Sequence, residues 1–277
     1  MKRILNIELK KLIPYSTFWV LIGIHFVLFI IVVLVINSFE IQIPGFEMPK
    51  LFEFPLVWNL VCWIASWFNL FLAIIIIAFV GNEYVFKTFR QHLIDGLSRS
   101  DLLKGKLMVI LLISIYGLFL VLFTSAIFGI ITTPDLAFAS VFNQSFYVFI
   151  YFIQAIAYMT FAFFIILLVK NIALSILFFI LYKFPVEPII RGLLPDEIIR
   201  FFPMKVISNL TPLPAQDLFE INTQSQFYGN MNGQNFNMPV NQNIVADLSL
   251  TTNTFLALGY ITLFIAISYI IIRRKNF

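Results

Sequence analysis

Long apolar stretches separated by short polar breaks dominate the pattern of the chain. Six stretches are long enough to cross a bilayer, which needs about 20 predominantly apolar residues. They run over Ser16–Ile36, Pro55–Val80, Leu107–Ile131, Phe146–Val169, Ile172–Ile190 and Thr254–Ile272. Lipid offers no partner to backbone N–H and C=O groups, and the stretches lack the alternating polarity of barrel strands. The pattern therefore predicts an all-α membrane protein with six transmembrane helices.

The fourth and fifth stretches are separated only by the polar pair Lys170-Asn171. Two spans joined by a tight turn fit their combined length better than one very long helix. The composition agrees with a membrane environment, since 61% of the residues are hydrophobic and 12% are charged, against about 25% charged in soluble domains. We interpret residues 1–277 as a single membrane domain.

The distribution of charge predicts the orientation of the spans. With the N-terminus in the cytoplasm, thirteen of the eighteen Lys and Arg residues fall on the cytoplasmic side and ten of the fourteen acidic residues on the outer side. Cytoplasmic segments of membrane proteins carry such an excess of Lys and Arg. We therefore expect both termini in the cytoplasm. The basic residues form small groups beside the spans, so orientation explains the net charge of +4 better than a nucleic-acid partner does.

Three segments outside the spans are informative. Residues 1–15 alternate apolar side chains with Lys and Arg, which predicts an amphipathic elbow helix in the cytoplasmic interface. Residues 82–106 form the largest cytoplasmic segment. Residues 191–253 form a long outer loop before the last span. Its first part predicts short helices at the membrane surface, and its Asn- and Gln-rich remainder predicts irregular structure.

The cytoplasmic segment 82–106 predicts a helix, a turn and a second helix. We expect Glu83–Ile94 to continue the second span, Asp95-Gly96 to end that helix, and Ser98 to cap a short helix leading to Lys106. An ordinary basic loop is the alternative interpretation.

The same segment resembles the ATPase-contacting loop of type-2 ABC exporter permeases, a family of six-helix proteins. In that family an acidic residue, a Thr, a Leu-rich turn, Ser-Arg and a Lys follow one another before the third span. The matching positions are Glu83, Thr88, Leu93, Ser98, Arg99 and Lys106. The sequence around Lys87-Thr88-Phe89-Arg90-Gln91 is most similar to the variant in Bacteroidetes permeases. Lys87 departs from the pattern, because many members have Gly before Thr. The elbow helix, the six spans and the long outer loop extend the resemblance along the whole chain.

The resemblance implies a permease subunit of an ATP-driven exporter in the bacterial inner membrane. Two permease subunits, identical or different, would pair, and each would receive a separate ATPase that binds ATP and magnesium. The ATPase-coupling residues that the resemblance implies are Glu83, Lys87, Thr88, Arg90, Gln91, Ser98, Arg99 and Lys106.

The sequence lacks the motifs that several other functions require. The chain has no Gly-x-x-x-x-Gly-Lys-[Ser/Thr] sequence, so it cannot energise transport with ATP by itself. Cys62 is the only cysteine, and His25 and His92 have no metal-ligand spacing around them. We therefore assign no catalytic residue, metal site or cofactor to this chain. Mechanical or assembly work on an envelope protein through the outer loop, and an ATP-independent carrier or membrane enzyme, stay open as alternatives.

Two polar groups inside or beside the spans have both a structural and a functional interpretation. Asn59, Ser66 and Asn69 share one face of the second span, which indicates either hydrogen bonding between helices or a lining of the transport path. Lys183, Glu187 and Arg191 recur every four residues and could pair with one another. They indicate either an interfacial helix end or a polar break before a re-entrant outer segment that gates the exit.

Overall fold

A computed structural model of the protein describes residues 2–38, 50–94, 96–134, 141–214, 229–231, 234–236 and 248–274. This part of the chain is helical apart from one small antiparallel hairpin, and it contains no fold of a nucleotide-binding type. The helices before residue 140 are α1 (Lys2–Leu12), α2 (Ser16–Ser38), α3 (Leu56–Val85), α4 (Thr88–Ile94) and α5 (Arg99–Thr132). They are followed by α6 (Phe146–Val169) and α7 (Ile172–Leu181), a π-helical turn over Tyr182–Val186, α8 (Glu187–Gly192), α9 (Asp196–Ile199), α10 (Pro203–Ser208) and α11 (Leu250–Arg274). The hairpin pairs β1 (Gly229–Met231) with β2 (Gln234–Phe236).

Six helical segments are long and apolar enough to cross a membrane, as the sequence pattern predicts. They are α2, α3, α5, α6, the continuous run Ile172–Gly192 and α11. The outer surface of the bundle is apolar as well, with Trp19, Phe123 and Phe255 each more than half exposed. Such a surface suits a lipid environment, in which apolar side chains need no cover. The protein is built as a multi-pass membrane protein.

Helix α6 forms the centre of the bundle, and α3 packs along it. Most of α6 and α3 is buried, whereas α2 and the segment Ile172–Gly192 are mainly exposed. Small and medium residues such as Ala155, Ala157 and Ala162 line α6, so neighbouring helices approach it closely. Helices α3, α5, α7 and α11 all contact α6.

The polar pair between the fourth and fifth spans forms a tight turn, which confirms the predicted boundary. Lys170 ends α6 in the left-handed conformation, with φ of 59°. The side-chain oxygen of Asn171 accepts a hydrogen bond from the backbone N–H of Leu174 at 3.1 Å and caps α7. The turn returns the chain antiparallel to α6 with no long loop.

The short helices predicted after residue 190 are present as α9 and α10. Helix α10 packs against α6 and α11, and its residues Met204, Val206 and Ile207 are buried. This part of the segment after the fifth span therefore folds back into the bundle. Most of the Asn- and Gln-rich stretch 216–243 lies outside the described residues.

Candidate functional site

The connection between α3 and α5 differs in two respects from the predicted helix, turn and helix. Helix α3 ends at Val85, and α4 begins only at Thr88, so the expected continuous helix Glu83–Ile94 is wrong. Lys87 lies at the break with φ of 54°. The second helix is not a separate short one, because Arg99 begins the uninterrupted helix α5.

Two other features of this connection agree with the prediction. Gly96 follows α4 with φ of 83°, a left-handed conformation that favours glycine. The Ser98 hydroxyl accepts a hydrogen bond from the backbone N–H of Asp101 at 3.1 Å, so Ser98 caps α5 as expected. Helix α4 is thus bracketed by two left-handed residues, Lys87 and Gly96.

The predicted coupling residues separate into an outward-facing set and an inward-facing set. Lys87, Gln91 and Ser98 are exposed, and Thr88 and Arg99 are partly exposed. The side chain of Arg90 lies outside the described residues. Glu83 and Lys106 are instead buried, with exposed fractions of 4% and 1%.

Large apolar side chains accompany the outward-facing set. Val85, Phe86 and Ile94 are 62%, 71% and 76% exposed. Val85 ends α3, Phe86 follows it, and Ile94 ends α4. An exposed apolar surface rimmed by polar residues is typical of a site that contacts another protein or a membrane.

Glu83 and Lys106 belong to a buried ionic cluster that also includes Glu8 and Lys11 of α1. The Lys106 ammonium lies 2.6 Å from Glu8 Oε2 and 2.5 Å from Glu83 Oε1. The Lys11 ammonium lies 2.6 Å from Glu83 Oε1 and 3.3 Å from Glu8 Oε1. Two carboxylates and two ammonium groups neutralise one another, so the cluster ties α1, α3 and α5 together.

An aromatic ring and a neighbouring glycine also belong to the environment of Lys106. Its ammonium lies 4.6 Å from the centre of the Phe79 ring, a cation–π distance. Gly105 leaves room for α1, because a Cβ at this position would come within 3.0 Å of Glu8 Cγ. The close approach of α1 and α5 therefore depends on a small residue beside the buried lysine.

Sequence reasoning missed the roles of Glu8 and Lys11. The available signal was that Glu8 is the only carboxylate in an otherwise basic amphipathic helix. A lone acidic residue on such a helix can be read as part of its solvated face. In the structure Glu8 is 2% exposed and faces the bundle.

His92 of α4 lies near the same cluster. Burial and the nearby charge of Lys11 lower the pKa of His92 below its ordinary value.

Arg99 has a contact within the chain that its sequence position did not predict. Its guanidinium Nη1 donates a hydrogen bond to the backbone carbonyl of Arg273, in the last turn of α11. The carbonyls at the end of a helix lack partners within the helix, and a cation there also interacts favourably with the helix dipole. Arg99 thus connects the start of α5 to the end of the last span.

The polar face of α3 is directed into the bundle. Asn69 is fully buried and donates a hydrogen bond to Gln154 Oε1 of α6 at 3.3 Å. Gln154 in turn donates to the Ile207 carbonyl at 2.9 Å and to Thr211 Oγ1 at 3.0 Å. Ser66 is partly exposed and bonds back to the Trp63 carbonyl at 2.7 Å, and Asn59 is buried. The Asn69 contacts agree with hydrogen bonding between helices.

In the described part of the chain, no salt bridge joins Glu187 to Lys183 or Arg191. The Glu187 carboxylate is fully buried. It accepts hydrogen bonds from the backbone N–H groups of Met204 at 3.0 Å and Lys205 at 2.8 Å. Glu187 therefore caps α10, because the first N–H groups of a helix lack intrahelical acceptors.

No family model matches this chain, and no curated protein matches it. The functional interpretation consequently rests on the geometry above and on the residue pattern of segment 82–106.

Proposed function

We propose that this chain is the permease subunit of an ATP-driven exporter of the type-2 ABC class. Two permease subunits pair in the bacterial inner membrane, and each receives an ATPase subunit at the surface formed by Val85, Phe86, Lys87, Gln91 and Ile94. The ATPase binds ATP and magnesium. Both termini of the permease lie in the cytoplasm, on the side of this surface.

The observation that carries the proposal is the backbone conformation of Lys87. Many members of the resembled family have glycine at this place, immediately before the threonine. In this chain Lys87 has φ of 54°, a conformation that glycine adopts readily and other residues adopt at a cost of roughly 1–2 kcal/mol. A helix break at this position supports the resemblance, because it requires a conformation that glycine favours.

The surface around the break suits docking into a groove on a partner. Helix α4 is short and is bracketed by Lys87 and Gly96, with exposed Phe86 before it and exposed Ile94 at its end. Apolar anchors surrounded by polar side chains supply most of the binding energy at protein interfaces. An ATPase that engages this surface can push or pull on α3 and α5 together.

The buried cluster offers a route from this surface into the bundle. Glu83 lies two residues before the exposed Val85, the last residue of α3, and Lys106 lies seven residues after Arg99 in α5. Because Glu8 pairs with Lys106, movement of α5 carries α1 with it. Nucleotide-driven closure of the two ATPases would thus rearrange the cytoplasmic ends of several helices as one body.

The opposite end of the bundle supplies the element that closes the path. Helix α10 is held by Glu187 at its N-terminus and by Gln154 near its C-terminus. It lies between α6 and α11 as a re-entrant segment. Release of α10 from these two contacts opens the exit.

Variants of the exposed surface test the proposal. Phe86→Asp should weaken ATPase association by about 2 kcal/mol or more, which is roughly thirtyfold in affinity, because it removes a central aromatic anchor. Phe86 is 71% exposed, so the change leaves the permease fold intact. Lys87→Gly should retain association, since glycine fits the positive φ. Association is measured by titrating labelled ATPase against purified permease.

Arg200→Glu is the matched control, because Arg200 lies beyond the fifth span, at the other end of the bundle. Equal association of the ATPase with wild type, Phe86→Asp and Arg200→Glu would show that the docking surface is wrongly assigned. Glu83→Arg is not a clean test of docking, because Glu83 is buried within the chain against Lys11 and Lys106.

A further inference from the structure

Lys183 is a cation whose neighbours in the described part of the chain are aromatic rings. Its ammonium lies 4.3 Å from the centre of the Tyr158 ring and 5.6 Å from that of Phe184. The residue is half-buried and belongs to the π-helical turn Tyr182–Val186. Isolated π-helical turns in α-helical segments occur frequently at functional sites.

The position of Lys183 along its span places it near the middle of the membrane. It is the twelfth residue of the 21-residue segment Ile172–Gly192, which puts it roughly 18 Å from the start of that segment. Its contact Tyr158 is the thirteenth residue of the 24-residue helix α6. A hydrocarbon core is about 30 Å thick, so both residues lie near its centre.

The charge of Lys183 is not neutralised within the described part of the chain. No salt bridge there includes Lys183. Glu187, one turn further on, accepts hydrogen bonds from the backbone N–H groups of Met204 and Lys205. Charged side chains inside a membrane are costly, pair where they can, and mark ligand or ion pathways.

Exposed apolar residues precede and follow Lys183 in the same segment. Phe178, Phe184 and Val186 are 50%, 48% and 40% exposed. A cation beside an exposed apolar surface presents two complementary features to an amphiphile. The cation suits an acidic head group, and the apolar surface suits an acyl or alkyl chain.

We propose that Lys183 binds the head group of acidic amphiphiles, and that Phe178, Phe184 and Val186 contact the alkyl chain of the bound amphiphile. The head-group chemistry is a phosphate or carboxylate anion that forms a charge-assisted hydrogen bond with the ammonium. The ligand enters from the lipid side, where these three residues are exposed. The site requires neither an ATPase nor a transport cycle, so it stands independently of the proposed function.

Binding to the purified chain in nonionic detergent tests this site. The probes are hexadecyl phosphate, the neutral hexadecanol with the same chain, and inorganic phosphate with the same anion. Native mass spectrometry measures their occupancy. We expect wild type to bind hexadecyl phosphate about tenfold or more tightly than hexadecanol, because a hydrogen bond to a charged group contributes on that scale. Lys183→Gln should abolish the preference, and Lys183→Arg should retain it.

Lys170→Gln is the matched control, because Lys170 is an exposed cation just before the start of the same span. Retained preference in Lys183→Gln, or equal loss in Lys170→Gln, would overturn the proposal. Inorganic phosphate should not compete with hexadecyl phosphate, because the site also contacts the alkyl chain. Full competition by inorganic phosphate would overturn the amphiphile site and assign Lys183 to a soluble anion instead.

Discussion

Lys106→Met should be among the most destabilising single substitutions in the protein. It removes the ammonium that lies within 2.6 Å of both Glu8 and Glu83 and leaves two buried carboxylates with Lys11 alone. Breaking a buried ion pair by removing one partner typically costs about 3–5 kcal/mol. Helix α1 should also detach from α5, because Glu8 then lacks its closest partner. Thermal unfolding in detergent measures the first effect, and proteolysis of the N-terminal helix measures the second.

Two further variants separate charge balance from the loss of a long side chain. Lys104→Met, two residues earlier on an exposed position of α5, should change stability little. Adding Glu8→Gln to Lys106→Met should restore part of the lost stability, since Glu83 and Lys11 then form a balanced pair at 2.6 Å. If the double variant is as unstable as the single one, the destabilisation does not arise from uncompensated charge.

Glu187→Leu should release α10 from the bundle. The carboxylate is fully buried and accepts two backbone N–H groups at the start of that helix. An apolar replacement leaves both donors unpaired, which costs about 1–3 kcal/mol for each buried group. Amide hydrogen exchange in residues 203–211, followed by mass spectrometry, should become at least tenfold faster there and change little in α6.

Glu197→Leu serves as the control for this experiment, because Glu197 is an exposed carboxylate on the neighbouring helix α9. Exchange in residues 203–211 should match wild type in this variant. If Glu187→Leu leaves exchange in that segment unchanged, Glu187 does not hold α10 in place. The proposed exit is then closed by a different contact.

The six spans could be predicted from the sequence because lipid constrains the backbone so strongly. Any apolar run of about 20 residues must pair its own N–H and C=O groups, and only a helix does this within one segment. The turn at Lys170-Asn171 was predictable for a related reason, since it is the only polar break in a double-length apolar run. Local features of this strength do not depend on which helices pack together.

The interior partners could not be predicted, because they depend on helix packing. Glu8, Glu83 and Lys106 are separated by 75 and 23 positions in the chain and meet only when α1, α3 and α5 assemble. Gln154 lies in an apolar helix, and no sequence pattern indicates its partners. These are Asn69, Ile207 and Thr211, which come from distant segments. The helix break at Lys87 was missed because lysine is not a residue that usually marks a positive φ.

Affinity purification of the chain from membranes of its source organism tests the central claim most directly. We expect a stable complex that contains two permease subunits and two copies of a polypeptide with a phosphate-loop sequence, and that hydrolyses ATP. Phe86→Asp should purify as a folded permease that has lost this ATPase. A folded wild-type chain that purifies without any ATPase, and supports no ATP hydrolysis, would contradict the account and favour an ATP-independent carrier.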